Sequence, residues 1–342
     1  GPMMAADELT GLIADIARAR VAVLGDFCLD VYWTVDPSIA ETSLETGLET
    51  RPVAGQRYSL GGAGNVVSNL VALGCRDVHA LGVVGRDPWG REMLDLLADS
   101  GVHTEGMITC AEAWSTLVYV KPYIQERELN RLDFGNFNRL PDEAAGQVIL
   151  ELEGILDRVE VVIVNEQVLR GIHTPFFREK LAQIIAQRTD RMFILDSRHY
   201  SEAYPGALLK LNSHEAARLI GIERAPDALV LREEVVAAAD DLWERWERPV
   251  FVTRGSRGSL VRDRDDLHEI PGIQVTGEID SVGAGDSALA GIALALAAGR
   301  EPAAAAELGG LVASITVKKL RQTGTATPRE VLAAGRAPDY VY

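Results

Sequence analysis

The segment "DSVGAGDS", residues 280–287, places three residues with almost no side chain next to a carboxylate. Gly283, Ala284 and Gly285 leave backbone N–H groups open to an approaching anion, and the apolar residues that follow predict a helix. The helix dipole adds about half a positive charge at this end. Asp286, in the same turn, could accept a proton from a hydroxyl that attacks the bound anion. The alternative is a tight turn in which Asp286 is an ordinary N-cap.

A second segment, "LNSHEA", combines the end of a predicted strand with the start of a helix. Asn212 ends the strand, and Glu215 lies in the first turn of the helix. A carboxylate there can hold hydrated Mg²⁺, because magnesium keeps several waters and takes only one or two protein oxygens. The alternative is a capping arrangement between these two residues.

Two glycine-rich segments and one aspartate extend the pattern. "TRGSRG", residues 253–258, has the glycine spacing of a loop beside a phosphate, or of a β-turn. "YSLGGAGN", residues 58–65, puts glycines before a helix, with Asn65 as either an N-cap or a hydroxyl ligand. Asp26 follows the buried strand "VAVL", and open α/β sheets bind ligands at such strand ends.

The rest of the chain alternates between buried strands and amphipathic helices. This alternation predicts an α/β fold with a doubly wound, mainly parallel sheet flanked by helices. Two β segments break it, at about 31–60 and 114–136, and predict a small appended sheet, with a mobile flap as the alternative for the first. The predicted strands are 21–24, 78–85, 161–165, 192–196, 207–211, 250–253 and 259–261; the predicted helices are 65–73, 88–101, 175–188, 213–220, 232–245, 286–298 and 301–320.

Composition narrows the classes of partner. The chain has 342 residues, of which 47% are hydrophobic and 25% charged, as is usual for a soluble globular protein. A net charge of −16 argues against nucleic acid and anionic membranes as partners, because basic surfaces bind both. The negative charge does not exclude phosphate ligands, because backbone N–H groups can bind them.

The cysteines and the first residues indicate the cellular compartment of the protein. Cys28, Cys75 and Cys110 form no CxxC or Cys/His ligand spacing, which argues against a disulfide framework or a zinc site. With no signal-peptide pattern, we expect a cytoplasmic protein. Residues 1–2 are interpreted as a tag scar, and 5–342 as a single domain.

In this order the segments resemble the signatures of the ribokinase-type (PfkB) carbohydrate kinases. "DSVGAGDS" is similar to the family's D-T/S-x-G-A-G-D signature, and "LGGAGNVVSNLVALG" to its G-G-x-x-x-N signature. "NSHE" matches the N-x-x-E element and "TRGSRG" the T-x-G-x-x-G loop. The resemblance covers nearly everything from about residue 20 to 332.

This resemblance implies a ribokinase-like fold and ATP-dependent phosphorylation of a sugar-like hydroxyl, with Mg²⁺ required and a monovalent cation such as K⁺ left open. It also implies a β-sheet lid over the substrate, through which the family often forms homodimers. The implied catalytic residues are Asp286 as base and Gly283, Ala284 and Gly285 as the anion hole; nucleotide contacts are Asn212, Thr253, Gly255 and Gly258; the metal residue is Glu215; and sugar contacts are Asp26, Asp30, Gly61, Gly62, Asn65 and Asp133. Asp30 has a solvated strand end as its alternative, and Asp133 a turn.

Within the family, the chain is most similar to kinases that act on D-glycero-D-manno-heptose 7-phosphate. Two segments depart from that subgroup: "VNEQVLRG" replaces S-D-Y-x-K-G, and Asp196-Ser197-Arg198 replaces D-P-K. A lysine is lost at each place, although Arg170 and Arg198 can supply cations with different geometry. Open alternatives are a kinase for a ketohexose, a sugar acid or a nucleoside, and a catalytically silent sugar or nucleotide sensor.

Overall fold

Strands and helices alternate along most of the chain in the computed structural model, which describes residues 4–320, 322–336 and 338–341. The interpreted tag residues 1–2 and the last residue of the predicted domain, 342, lie outside the described residues. The strands are β1 Arg20–Gly25, β2 Phe27–Val35, β3 Val53–Gly62, β4 Asp77–Gly85, β5 His103–Cys110, β6 Leu117–Ile124, β7 Arg127–Glu128, β8 Leu132–Phe134, β9 Val161–Glu166, β10 Met192–Ser197, β11 Leu208–Asn212, β12 Val250–Thr253, β13 Ser259–Arg262, β14 Leu267–Ile270, β15 Gly272–Ile273 and β16 Tyr340–Val341. The helices are α1 Ala6–Ile16, α2 Ala63–Ala72, α3 Pro88–Asp99, α4 Asp142–Ile155, α5 Pro175–Gln187, α6 Ser213–Leu219, α7 Arg232–Trp246, α8 Ala284–Ala297, α9 Pro302–Thr316 and α10 Pro328–Arg336.

The main sheet is nine-stranded, in the order β14-β13-β12-β11-β10-β9-β1-β4-β5. The strands from β12 to β5 pair in parallel, and β13 and β14 are antiparallel additions. One apolar core joins the sheet to α1, α2, α3, α8, α9 and α10; a second joins its other face to α4, α5, α6 and α7. Burial on both faces explains the continuous apolar runs of β1 and β9. The predicted doubly wound fold is confirmed.

A smaller sheet of five strands packs its buried residues into these cores, in the order β3-β2-β6-β7 with β8 paired to β6. It is mainly antiparallel, although β2 and β6 run in parallel. β2 follows β1 almost directly, and β3 continues directly into α2. The small sheet is therefore joined to the main sheet at the carboxyl end of β1.

Among the described residues, the helices are all too short or too polar to cross a bilayer.

Candidate active site

The helix α8 begins at Ala284 with Gly283 as its N-cap, in a left-handed conformation with φ of 83°. A Cβ atom at Gly283 would lie 2.7 Å from Thr323 Cγ2 and 3.3 Å from Asn65 Nδ2. Both the backbone angle and this crowding require glycine. The corner is thus built from residues that let other groups approach the backbone closely.

The amides of this corner are only partly free. Ser287 N donates to Gly283 O at 3.0 Å and starts the helix. Ala284 N donates to Ser281 O at 3.1 Å, so this amide closes the turn. In this conformation it is not free to bind an anion, as the prediction required. Within the part of the chain that the structure describes, the amides of Gly283 and Gly285 have no acceptor, as expected at a helix start.

Asp286 lies half-buried in the first turn of α8, within reach of α2. Asn65 Nδ2 donates to Asp286 Oδ2 at 2.8 Å. Asn69 supports this contact, because its Nδ2 donates to Asn65 O at 2.8 Å and its Oδ1 accepts from Ser287 Oγ at 3.0 Å. Asn65 lies inside α2, whose N-cap is Gly62, so the N-cap interpretation of Asn65 is wrong.

The surroundings of Asp286 move its ionisation toward neutral pH. Burial raises the pKa of Asp286 to about 6, while the hydrogen bond from Asn65 acts in the opposite direction. The carboxylate of Asp196 raises this pKa further, and the cations Lys210 and Arg198 lower it. A carboxylate with a pKa near 6 is a suitable general base at neutral pH.

Lys210 is a buried cation in the site that the sequence motifs did not reveal. Its Nζ lies 3.5 Å from Asp196 Oδ2, and a Cβ atom at Gly285 would lie 3.1 Å from the same Nζ. Burial alone would lower the pKa of Lys210, but the carboxylates of Asp196, Glu215 and Asp286 outweigh burial and raise it. The available signal was a lysine within the apolar strand "LLKLN", because a buried lysine requires an anionic partner.

Asn212 and Glu215 form the capping arrangement that was the alternative to a metal site. Asn212 Oδ1 accepts from Glu215 N at 2.8 Å, and Glu215 Oε1 accepts from Asn212 N at 2.9 Å. Burial, and then the charge of Asp196, raise the pKa of Glu215. The cap therefore fixes Glu215 beside the acidic and basic groups around Asp286. Glu215 also lines a cavity of about 260 Å³ together with Arg198 and Arg218.

The loop after β12 lies next to Asn212, because Thr253 is the register partner of Asn212. Thr253 Oγ1 donates to Leu211 O at 3.3 Å. Gly255 and Gly258 have positive φ values, and a Cβ atom at Gly258 would lie 1.9 Å from Ile270 O. Backbone packing against the end of β14 thus requires Gly258, and contact with a nucleotide stays a prediction for this loop.

Asp26, which follows β1, is enclosed by protein in this structure. It is fully buried, and its carboxylate accepts from the backbone amides of Gln167 at 2.8 Å, Val168 at 3.3 Å and Ile172 at 2.8 Å. Burial raises its pKa, although nearby His173 and these amides oppose the change. Asp26 therefore holds the loop after β9, and both oxygens are engaged in the conformation described here.

Asp30, Gly61 and Gly62 lie together on the small sheet. Asp30 Oδ1 is 3.3 Å from Lys121 Nζ, and a Cβ atom at Gly61 would lie 2.6 Å from Asp30 Oδ2. Gly62 has φ of 55°, and a Cβ atom there would lie 2.3 Å from Asp26 O. These glycines let the aspartate and the end of β1 come close to β3. Because Asp30 is paired with Lys121, the alternative interpretation of Asp30 as a solvated strand end is wrong.

Asp133 lies on the same row of the small sheet. Tyr119 is the register partner of both Asp30 and Asp133. Arg131 donates to Asp133 through Nε at 2.6 Å and Nη2 at 2.9 Å, and its guanidinium lies 4.7 Å from the centre of the Tyr119 ring. The sheet thus carries a row of charged and aromatic groups.

Buried Glu166 lies in the first of the two segments that depart from the heptose kinase subgroup, and it pairs with exposed His199, which follows the second. Glu166 accepts from Ser197 Oγ at 2.7 Å and from His199 through N at 2.6 Å and Nδ1 at 2.7 Å. Burial alone would raise the pKa of Glu166, but these hydrogen bonds lower it. The pair fixes the turn that carries exposed Arg198, whose charge lowers the pKa of Asp286. Arg170 is exposed on the loop after β9.

The doubly wound sheet, the small-residue corner and the acid beside it agree with the class of sugar kinase that the motifs predicted. A sequence model described as "pfkB family carbohydrate kinase" matches residues 18–329. The chain belongs to this family, and the predicted enzyme class is confirmed.

Similar proteins agree with this assignment. The "Bifunctional protein HldE" of Caulobacter vibrioides is 32% identical over 337 residues, covering 96% of this chain and 65% of that protein. Its counterpart in Methylococcus capsulatus is 30% identical over 335 residues, covering 94% and 65%. The chain thus spans about 65% of the length of these relatives.

Solved structures show the same fold. Phosphofructokinase-2 from Escherichia coli has a TM-score of 0.71 at 20% identity, covering 92% of this chain and 97% of that one. Ribokinase from Thermotoga maritima has a TM-score of 0.68 at 19% identity, covering 93% and 100%.

Proposed function

We propose that Asp286 takes a proton from a hydroxyl of a sugar or sugar phosphate while that oxygen attacks the γ-phosphate of ATP. The observation that carries this proposal is the position of Asp286, half-buried in the first turn of α8, hydrogen-bonded to Asn65 and with a pKa of about 6. A side chain with these properties is poised to exchange a proton at neutral pH.

The residues around Asp286 fit Mg²⁺ and a nucleoside triphosphate. Glu215 and Asp196 offer the carboxylate oxygens that magnesium prefers, and the charge of Asp196 raises the pKa of Glu215, which a divalent cation would counteract. Glu215 and Asp196 would hold the metal, and Asn212 and the loop from Thr253 to Gly258 would contact the nucleotide. When bound, ATP would supply the phosphoryl group and Mg²⁺ would neutralise part of the charge on it.

The chain's own groups provide orientation and charge stabilisation. Asn65 orients the Asp286 carboxylate, and we assign Asp30 and Asn65 to the binding of acceptor hydroxyls. The free amides of Gly283 and Gly285, together with the ammonium group of Lys210, stabilise charge that develops on the transferred group. The small sheet acts as a lid that excludes water from the reaction.

D-glycero-D-manno-heptose 7-phosphate is the acceptor that we favour. Similarity to the HldE proteins over almost the whole chain supports it. Arg198 is the cation on this chain that we assign to the acceptor phosphate, because it is exposed at the end of β10 and its charge acts on Asp286. Its guanidinium can bind a phosphate through two parallel hydrogen bonds.

The proposal is tested by ATP consumption and ³¹P NMR of the products with a panel of acceptors: heptose 7-phosphate, the unphosphorylated heptose, fructose 6-phosphate, fructose and adenosine. We expect transfer to heptose 7-phosphate, a loss of roughly 10²–10⁴-fold in Asp286→Asn, and no change in Asp95→Asn, which alters an exposed aspartate on α3. Equal rates for the wild type and Asp286→Asn would contradict the assignment of the base. Transfer to none of the acceptors would favour a sensor.

A further inference from the structure

Two histidines and an aspartate meet at the end of the main sheet opposite Asp286. Asp77 is the first residue of β4 and His103 the first residue of β5, whereas the site residues follow the carboxyl ends of the strands. Asp77 Oδ1 lies 2.8 Å from His79 Nε2 and 3.4 Å from His103 Nε2. One ligand atom from each residue lies within 4.8 Å of the others.

Strand pairing, not spacing along the chain, creates this cluster. Asp77 and His79 are two residues apart on β4 and therefore lie on the same face. His103 is the register partner of His79 on β5, which is the edge strand of the sheet. His103 is exposed, and Asp77 and His79 are partly exposed. An ion can reach the cluster from this edge.

The cluster is poorly satisfied by hydrogen bonds alone. Asp77 Oδ1 is shielded from solvent, and within the described residues it has no aligned hydrogen-bond donor despite the two nearby ring nitrogens. The rings of His79 and His103 stack with centroids 4.4 Å apart and planes at 21°. Two imidazolium rings in this position would repel each other.

Neutral imidazole nitrogens next to a carboxylate oxygen are a ligand set for divalent transition metals. We propose that Asp77, His79 and His103 bind a divalent transition-metal ion, with Zn²⁺ as the probe of choice, and leave further positions for water. His103 is exposed, so its ring can turn until its Nε2 lone pair meets the same ion as that of His79. Such an ion would tie the edge strand β5 to β4, independently of the kinase reaction.

The experiment is a calorimetric titration of Zn²⁺ into the metal-stripped protein, with excess Mg²⁺ present to occupy the carboxylates of the active site. The variants are His79→Gln and His103→Gln, and His268→Gln is the matched control, because His268 Nε2 also lies 3.0 Å from an aspartate oxygen, Asp263 Oδ2. We expect one site in the wild type and in the control, and at least a tenfold weaker affinity in each cluster variant.

Melting temperature provides a second measurement. Zn²⁺ should raise the melting temperature of the wild type and of His268→Gln, but not that of the cluster variants, because an ion that binds the folded state stabilises it. His103→Gln changes an exposed side chain, so this variant keeps the test informative if His79→Gln does not fold. Equal Zn²⁺ affinity in the wild type and His103→Gln, or absence of binding to the wild type, would overturn the proposal.

Discussion

Asp286 is subject to two opposed demands. It must be ionised to accept a proton, yet burial raises its pKa to about 6 and makes the charged form costly. The hydrogen bond from Asn65 and the charges of Lys210 and Arg198 reduce this cost without removing it. The residue that we propose as the base is therefore expected to lower the stability of the free protein at neutral pH.

Asp286→Asn should stabilise the protein while it removes activity. Because the folded-state pKa lies above the ordinary value of 3.8, the stability that Asp286 contributes falls as pH rises through the interval from 3.8 to about 6. Replacing it should raise the free energy of unfolding by about 1–3 kcal/mol at about pH 8, and by less at about pH 5. Urea unfolding measures both values. A gain that does not change with pH, or a gain shared by Asp95→Asn, would contradict this account.

Glu215 has a capping role that can be separated from its proposed metal role. Glu215→Gln keeps a side-chain acceptor for Asn212 N, so the melting temperature should change little. The Mg²⁺ concentration for half-maximal rate should rise about tenfold, because magnesium prefers carboxylate ligands. The matched control is Glu234→Gln, since Glu234 Oε1 accepts from Leu231 N at the start of α7 in the same way. An unaltered Mg²⁺ dependence in Glu215→Gln would show that Glu215 acts only as a helix cap.

Motifs predicted the residues next to Asp286 better than the residues that support them. The small-residue corner, Asn65 and Glu215 lie in short segments whose composition is unusual for a strand or a helix. Lys210 was not predicted, because no motif includes it and its role depends on Asp196, which is brought near by pairing of β10 with β11. The engagement of Asp26 by the loop after β9 likewise depends on contacts distant in sequence.

At the scale of elements, the start of α8 is the part on which transfer depends. Gly285 lies in its first turn, and a Cβ atom there would lie 3.1 Å from Lys210 Nζ, the flexible end of a side chain. Lys210 can move without unfolding the protein, but it would then leave the corner. The added methyl group should therefore displace the ammonium group of Lys210 and fill space next to the free amides of Gly283 and Gly285.

Gly285→Ala should accordingly separate activity from stability. Alanine is favoured over glycine in a helix by roughly 1 kcal/mol, so stability should be kept within about that amount, while kcat falls at least tenfold. Gly146→Ala in α4 is the control, because a Cβ atom there meets open space. It should gain a similar helix preference and retain full activity. Wild-type kcat in Gly285→Ala would contradict a role for this corner.

The elements that patterning did not predict have identifiable physical reasons. The edge strand β5, "HTEGMITC", neither alternates strictly between exposed and buried positions nor contains a strong apolar run, so its pattern is weak. α4 contains Gly146 and Gly154, which lower helix propensity, and burial of one face against the sheet outweighs that preference. The small sheet begins at Phe27, earlier than predicted, because β2 follows β1 after a single residue.

At the scale of the whole molecule, the small sheet presents apolar side chains to solvent. Val53 is 44% exposed, Leu132 is 44% exposed, and Phe134 is 37% exposed. A lid that only covered a substrate would need little apolar area on its outer surface. A lid that pairs with a second lid would need a larger apolar area there. We therefore predict a homodimer formed through the small sheets.

Sedimentation equilibrium tests this prediction. The wild type should be a dimer, and Leu132→Glu should weaken the dimer at least tenfold, because a charge would be buried in an apolar contact. The control is Leu150→Glu, which places the same charge at an exposed leucine on α4, outside the small sheet. A wild type that is monomeric at all concentrations, or equal weakening by both changes, would refute dimerisation through the lid.

The most direct test of the central claim is the pH dependence of phosphoryl transfer, measured in single turnovers with saturating Mg²⁺ and ATP. If Asp286 is the base, the wild-type rate should fall tenfold per pH unit below about 6 and level off above it. In Asp286→Asn the rate should be lower by roughly 10²–10⁴-fold and should lack this acidic limb. An acidic limb that persists unchanged in Asp286→Asn, at a rate close to that of the wild type, would contradict the account.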